Sequence, residues 1–152
     1  MAENTEPSAL DLRRRARAAR NAGDRELALA DERAAVALLR LESPGPELAH
    51  AVRHVADILV ELDRAGEATA AITEALALYR AIDAPPLDIA NAMRSAAVHA
   101  EAIGDKAGAR ELWCDARTRY AALSDVFSAM TGSPANPGVD EATMRLAALG
   151  RD

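Results

Sequence analysis

Alanine and larger apolar residues recur every three or four positions through most of this chain, and Arg, Glu and Asp fill the places between them. That spacing is the signature of amphipathic helices, since residues three and four apart share one helix face. Two segments interrupt it: Ser43-Pro44-Gly45-Pro46 and Asp83-Ala84-Pro85-Pro86 cannot continue a helix, but each can begin one, because proline suits the first helical turn. Gly23-Asp24 and Gly104-Asp105 mark tighter turns, with each Asp able to cap the helix after it; Asp63 and Gly66 flank the equivalent turn in the middle segment. Ser8 with Asp11 three residues later resembles a capping box.

The expected organisation is six helices in three hairpins: 9–22 with 24–41, 46–62 with 65–82, and 86–103 with 105–124. Residues 1–8 read as a flexible N-terminus and 125–139 as a turn-rich linker, polar from Thr131 to Gly138, where Pro134 and Pro137 argue against a helix. A short amphipathic segment, 140–149, follows and is expected to cap the open end of the array.

Superposing the hairpins exposes a repeat. Ala16, Ala28 and Ala35 recur as Ala56, Ala68 and Ala75 and again as Ala97, Ala109 and Ala116, with offsets of 40 and 41 residues. Small residues at these places let the two helices of a hairpin approach closely and let hairpins nest. Composition agrees: 38 of 152 residues are alanine and only 3% are aromatic, which favours helices over an all-β core.

The pattern resembles tetratricopeptide repeats: a large apolar residue, a small one four later, a Gly-Asp turn and two alanines on the second helix. Leu12, Val52 and Met93 hold the large apolar place in the first helices. Ile72 and Trp113 hold it in the second helices, with Tyr79 and Tyr120 further along. The period exceeds the plain 34-residue repeat and is similar to the longer hairpins of kinesin light chains and many bacterial regulators. Arg15 and Glu32 depart from the pattern, standing in the first repeat where large apolar residues are preferred. The resemblance covers residues 9–124 and implies an all-α fold, an α-solenoid of three antiparallel helix hairpins with a short C-terminal capping helix.

It also implies a groove lined by the first helix of each hairpin. Arg13, Arg14, Arg17 and Arg20 would face it from the first, His50, Arg53, His54 and Asp57 from the second, and Asn91, Arg94 and Ser95 from the third. Arg13, Arg17 and Arg20 share one helix face, and guanidinium forks suit carboxylates. Some family members grip a C-terminal carboxylate with a five-residue clamp; here its places hold Arg13, Arg17, His54, Asn91 and Ser95. Only Arg13 is conservative, so that clamp is not expected. Val60 and Val98 are the few apolar anchors such a groove would offer.

The remaining chemistry is sparse. His50, His54 and Asp57 have ligand-like spacing, but Arg53 between them repels a cation, so no metal is expected. Cys114 beside Trp113 is expected to be packed, and as the single cysteine it excludes an internal disulfide. No phosphate loop, nucleophile elbow or dinucleotide fingerprint is present, so neither an enzyme nor a cofactor is expected. The net charge of −6 disfavours nucleic acid and anionic membranes. Met1 to Leu10 is acidic without an apolar run, and no stretch reaches membrane-spanning length, which together suggest a cytoplasmic protein. The expected function is a non-catalytic interaction module holding an acidic peptide or protein partner. The alternative is a self-assembling homodimer that associates through the C-terminal helix.

Overall fold

Ser8 starts the first helix as the spacing predicts. Its hydroxyl accepts from the Asp11 amide at 3.2 Å and the Asp11 carboxylate accepts from the Ser8 amide at 3.2 Å, a complete capping box. The computed structural model describes residues 6–42 and 44–150, so most of the expected flexible segment 1–8, and Ser43 of the first loop, lie outside the described residues. Eight helices are present among them and no strand: α1 (Ala9–Asn21), α2 (Arg25–Leu39), α3 (Pro46–Glu61), α4 (Ala65–Ala81), α5 (Pro86–Ala102), α6 (Lys106–Ala121), α7 (Ser124–Thr131) and α8 (Pro137–Leu149). The chain is all-α, and its helices pack against neighbours in sequence order, as in a helical-repeat α-solenoid. None of the described helices is long and apolar enough to cross a membrane.

The three hairpin turns use one backbone solution with different residues. Gly23 and Gly104 adopt φ of +86° and +80°, and the equivalent middle position is Asp63 itself, at +58°. Aspartate tolerates this left-handed region better than most side chains. Gly66, expected to flank the turn, instead lies in the first turn of α4. Asp24 and Asp105 cap α2 and α6 by accepting from the amides of Leu27 and Gly108 at 3.1 and 2.9 Å. In the middle repeat Arg64 stands at that place and bonds the Glu67 carboxylate through two contacts of 2.8 Å.

By contacts the chain forms two compact units, residues 1–78 and 79–152, divided within α4. In the first, α1 packs on α2 and α2 on α3. Leu12, Leu29, Val52, Ile58 and Leu59 supply the bulk of its core. In the second, α5 packs on α6 and α6 on α8, around Trp113 and Tyr120. All nine repeat alanines are at most 1% exposed, so the small-residue period marks the closest helix approaches of both units.

The C-terminal region departs from expectation. The predicted linker contains a helix, α7, which ends at Gly132 with φ of +69°, and α8 begins at Pro137 rather than Asp140. Pro137 occupies the first helical turn, where its missing N–H costs nothing, so it starts a helix instead of excluding one. The buried Asn136 fixes this start: its amide donates to the Tyr120 carbonyl and the Ser124 hydroxyl at 2.8 and 2.9 Å, and its oxygen accepts from Val139 at 3.2 Å. Cys114, expected to be packed, is exposed while Trp113 beside it is buried, because consecutive helix positions point about 100° apart.

Helix α8 sits on its own chain through Ala142, fully buried, and through Gly138, whose missing side chain admits the Tyr120 ring. A Cβ at Gly138 would lie 2.4 Å from Tyr120 Cγ. That ring is buried and its hydroxyl donates to Asn91 Oδ1 at 2.7 Å, so it has little room to move. Gly138→Ala is therefore expected to destabilise the chain by about 1–3 kcal/mol despite alanine's better helix propensity. Urea denaturation of the two proteins measures this, and a more stable variant would show that α8 is not seated on Tyr120.

Candidate functional site

Four arginines project from α1 at helical spacing, and they meet side chains of α2 and α3 around one cleft of about 550 Å³ in the first unit. Helix α1 contributes Arg13, Arg14, Arg17 and Arg20, α2 contributes Glu32, and α3 contributes His54 and Ile58. Five of the residues expected from sequence thus line a single concavity.

Their charges are unequally available. Arg13 is mostly buried, pairs with Glu47 and holds its Nε 3.7 Å from Glu32. Arg20 forks onto Glu61, with its Nε 3.1 Å from both carboxylate oxygens, and Arg25 reaches the same carboxylate at 3.3 Å. Arg14 is exposed and lies 4.0 Å from Asp11. Arg17 is exposed and makes no ion pair among the described residues. The Arg17 guanidinium therefore remains to meet an anion, with Arg14 one turn before it held only by exposed Asp11.

Glu32 is the residue that sequence reasoning underrated. It is 2% exposed, with Oε1 3.5 Å from His54 Nδ1 and Oε2 without a hydrogen bond. Its signal was present as a charge at a place where the later repeats carry Ile72 and Trp113. The neutralising partners Glu47 and Glu61 lie 34 and 41 residues from Arg13 and Arg20, and sequence gave no local cue to either pairing.

The other expected groove residues serve elsewhere. On α3, Arg53 bonds Asp57 at 3.2 Å and lies 3.1 Å from His54 Nε2; His50, Arg53 and Asp57 are not in the cleft lining. No three His, Cys, Asp or Glu side chains among the described residues form a metal-binding group. Asn91, Arg94 and Ser95 belong to the second unit. There Asn91 accepts from Tyr120, Arg94 forks onto Glu141 of α8 at 2.6 and 2.8 Å, and Ser95 is buried. In this unit the chain's own C-terminal segment takes the arginine, and packing covers the serine. Arg13, Arg53 and Arg94 occupy one repeat position, and each is held by a carboxylate.

No protein-family model matches the chain, and no curated protein matches it.

Two carboxylates around the cleft are held below their ordinary range. At Asp11 the Ser8 hydroxyl is the main cause, followed by the Ser8 amide, with Arg14 contributing less. At Glu61 burial pulls upward, but the hydrogen bond and charge of Arg20, aided by Arg25, outweigh it and the net shift is downward. A lowered folded value means that the Glu61 contribution is present above its unfolded value and is lost as pH falls through the folded one. Glu61→Gln is expected to cost about 0.5 kcal/mol at neutral pH, because the pair is partly solvated. That difference should shrink as pH falls below the ordinary glutamate range of about 4.3 and close once pH is below the lowered folded value. Chemical denaturation of both proteins across this range tests it; an undiminished difference at low pH would remove the ion pair as its cause.

Proposed function

We propose that the chain is a tetratricopeptide-type interaction module that holds an acidic peptide segment of a protein partner in the α1 cleft. The observation that carries this reading is Arg17, exposed and without an ion pair among the described residues, at a concave site whose other arginines have carboxylate partners, Arg14 only at 4.0 Å from exposed Asp11. In a chain of net negative charge, four arginines gathered around one cleft, one of them without an ion pair, favour the approach of an acidic segment there and so influence orientation and encounter rate. Leu10 in the same lining, more than half exposed, gives an incoming peptide apolar contact.

The test is fluorescence anisotropy with a labelled glutamate-rich peptide. Wild type is expected to bind with an affinity that falls as salt rises. The Arg14→Glu, Arg17→Glu variant should lose at least tenfold in affinity at unchanged helicity by circular dichroism, a loss of about 1.4 kcal/mol or more. Equal binding by both proteins would refute the assignment of the cleft.

The alternative, association of two copies through the C-terminal region, draws support from Val126 and Met130 on α7 and Met144 on α8, all more than half exposed. Exposed apolar side chains of this size are candidates for burial in a partner. Sedimentation velocity at rising concentration distinguishes the two readings: a dimer that Met130→Glu and Met144→Glu dissociate would favour association, and a monomer throughout would exclude it.

A further inference from the structure

A carboxylate occupies a core position of the first unit with one oxygen ion-paired but not hydrogen-bonded. Glu32 stands at the repeat place of Ile72 and Trp113, both buried in the same way. Its side chain is 3% exposed, and neither its Oε2 nor Arg13 Nε, 3.7 Å away, makes a hydrogen bond. Both residues line the α1 cleft. Replacing a whole buried ion pair by apolar residues commonly gives equal or greater stability, so folding does not require the Arg13–Glu32 pair at this place.

We infer that the Arg13–Glu32 pair is the selectivity element of the cleft and receives a neutral side chain that both accepts and donates a hydrogen bond. This rests on the acidic-peptide reading above and specifies the peptide further. The guanidinium Nε–H donates to the entering oxygen, and the ligand's O–H or N–H donates to Glu32 Oε2, so both buried groups are satisfied at once. A hydroxyl or a carboxamide has this double capacity. A second carboxylate would face Glu32 as a like charge, and an ammonium would have nothing to accept from Nε–H. Both protein atoms are covered in the structure, so the Arg13 side chain, paired at its outer end with exposed Glu47, turns aside to admit the group.

Arg17 sets the spacing. It lies four residues after Arg13, about 6 Å along the helix axis. Alternate residues of an extended peptide share a face at about 6.6 Å. The recognised element is therefore an acidic residue on Arg17 with Ser, Thr, Asn or Gln two positions away.

The test uses fluorescein-labelled ten-residue peptides with the centres Ser-Ala-Asp-Ala-Ser, Gln-Ala-Asp-Ala-Gln and Ala-Ala-Asp-Ala-Ala, so that either chain direction is covered. They are titrated against wild type, Glu32→Ile and Arg17→Glu. Wild type is expected to bind the serine or the glutamine peptide about tenfold more tightly than the alanine peptide, and the tighter of the two identifies hydroxyl or carboxamide. Glu32→Ile should bind all three alike, at helicity matching wild type by circular dichroism. Equal binding of all three by wild type, or unchanged discrimination by Glu32→Ile, would each overturn the inference. If the three peptides bind equally to wild type and all weaken with Arg17→Glu, the acidic-peptide reading stands and only the selectivity element fails. If none binds, both fail.

Discussion

Close helix approach at alanine is the constraint on which the rest of this structure depends. Nine alanines in three copies are sealed at the contacts within the two units, and no larger residue fits such places without forcing the helices apart. Helices brought this near need few large side chains to exclude water. Ile58, Leu59, Tyr79 and Trp113 are the largest side chains left with almost no exposure, and the chain manages with 3% aromatic residues. Gly138 extends the same device to the C-terminal helix, where even a methyl group would meet the Tyr120 ring.

A scaffold that takes its packing from small residues leaves its charged side chains on helix rims, and there nearly every arginine meets a carboxylate from another turn or another helix. Arg15 forks onto the buried Asp31, Arg40 onto Glu74 and Arg94 onto Glu141. Such pairs contribute little each when solvated. Their larger consequence is electrostatic: they silence most of the positive charge around the α1 cleft and leave Arg17 exposed there without an ion pair. Glu32 belongs to the opposite class, a charge taken into the packing and left partly unsatisfied, and it is the place where the first repeat departs furthest from the other two.

Aromatic and ionic contacts hold α8 in a similar spirit. Arg145 lies 5.7 Å from the Trp113 ring centroid and 3.0 Å from Glu101, whose other oxygen accepts from the indole N–H. Arg110 donates to the Leu149 carbonyl at 2.8 Å, one of the last of that helix and otherwise without an intrahelical partner. One end of α8 is thus held by Asn136 and the other by Arg110.

Local rules were sufficient for much of this. Helix period, the Ser8 capping box, Asp24 and Asp105 as caps, and the 40- and 41-residue alanine repeat are properties of residues a few positions apart, or of one pattern laid over itself, and the sequence determined them. It also brought Arg13, Arg14, Arg17 and Arg20 to one region of α1, because helical spacing alone does so. Helix α7 has no local signal, since its segment follows a predicted helix end and precedes two prolines, and Pro137 opens α8 although a proline there locally signals a break. Only tertiary structure decided which arginines are silenced, since Glu47 and Glu61 reach them from 34 and 41 residues away. It likewise decided that Arg94 is held by α8, that Ser95 is buried and that Cys114 is exposed. A pairing between charges distant in sequence depends on how helices are set against each other, and that is a property of packing which no local pattern records.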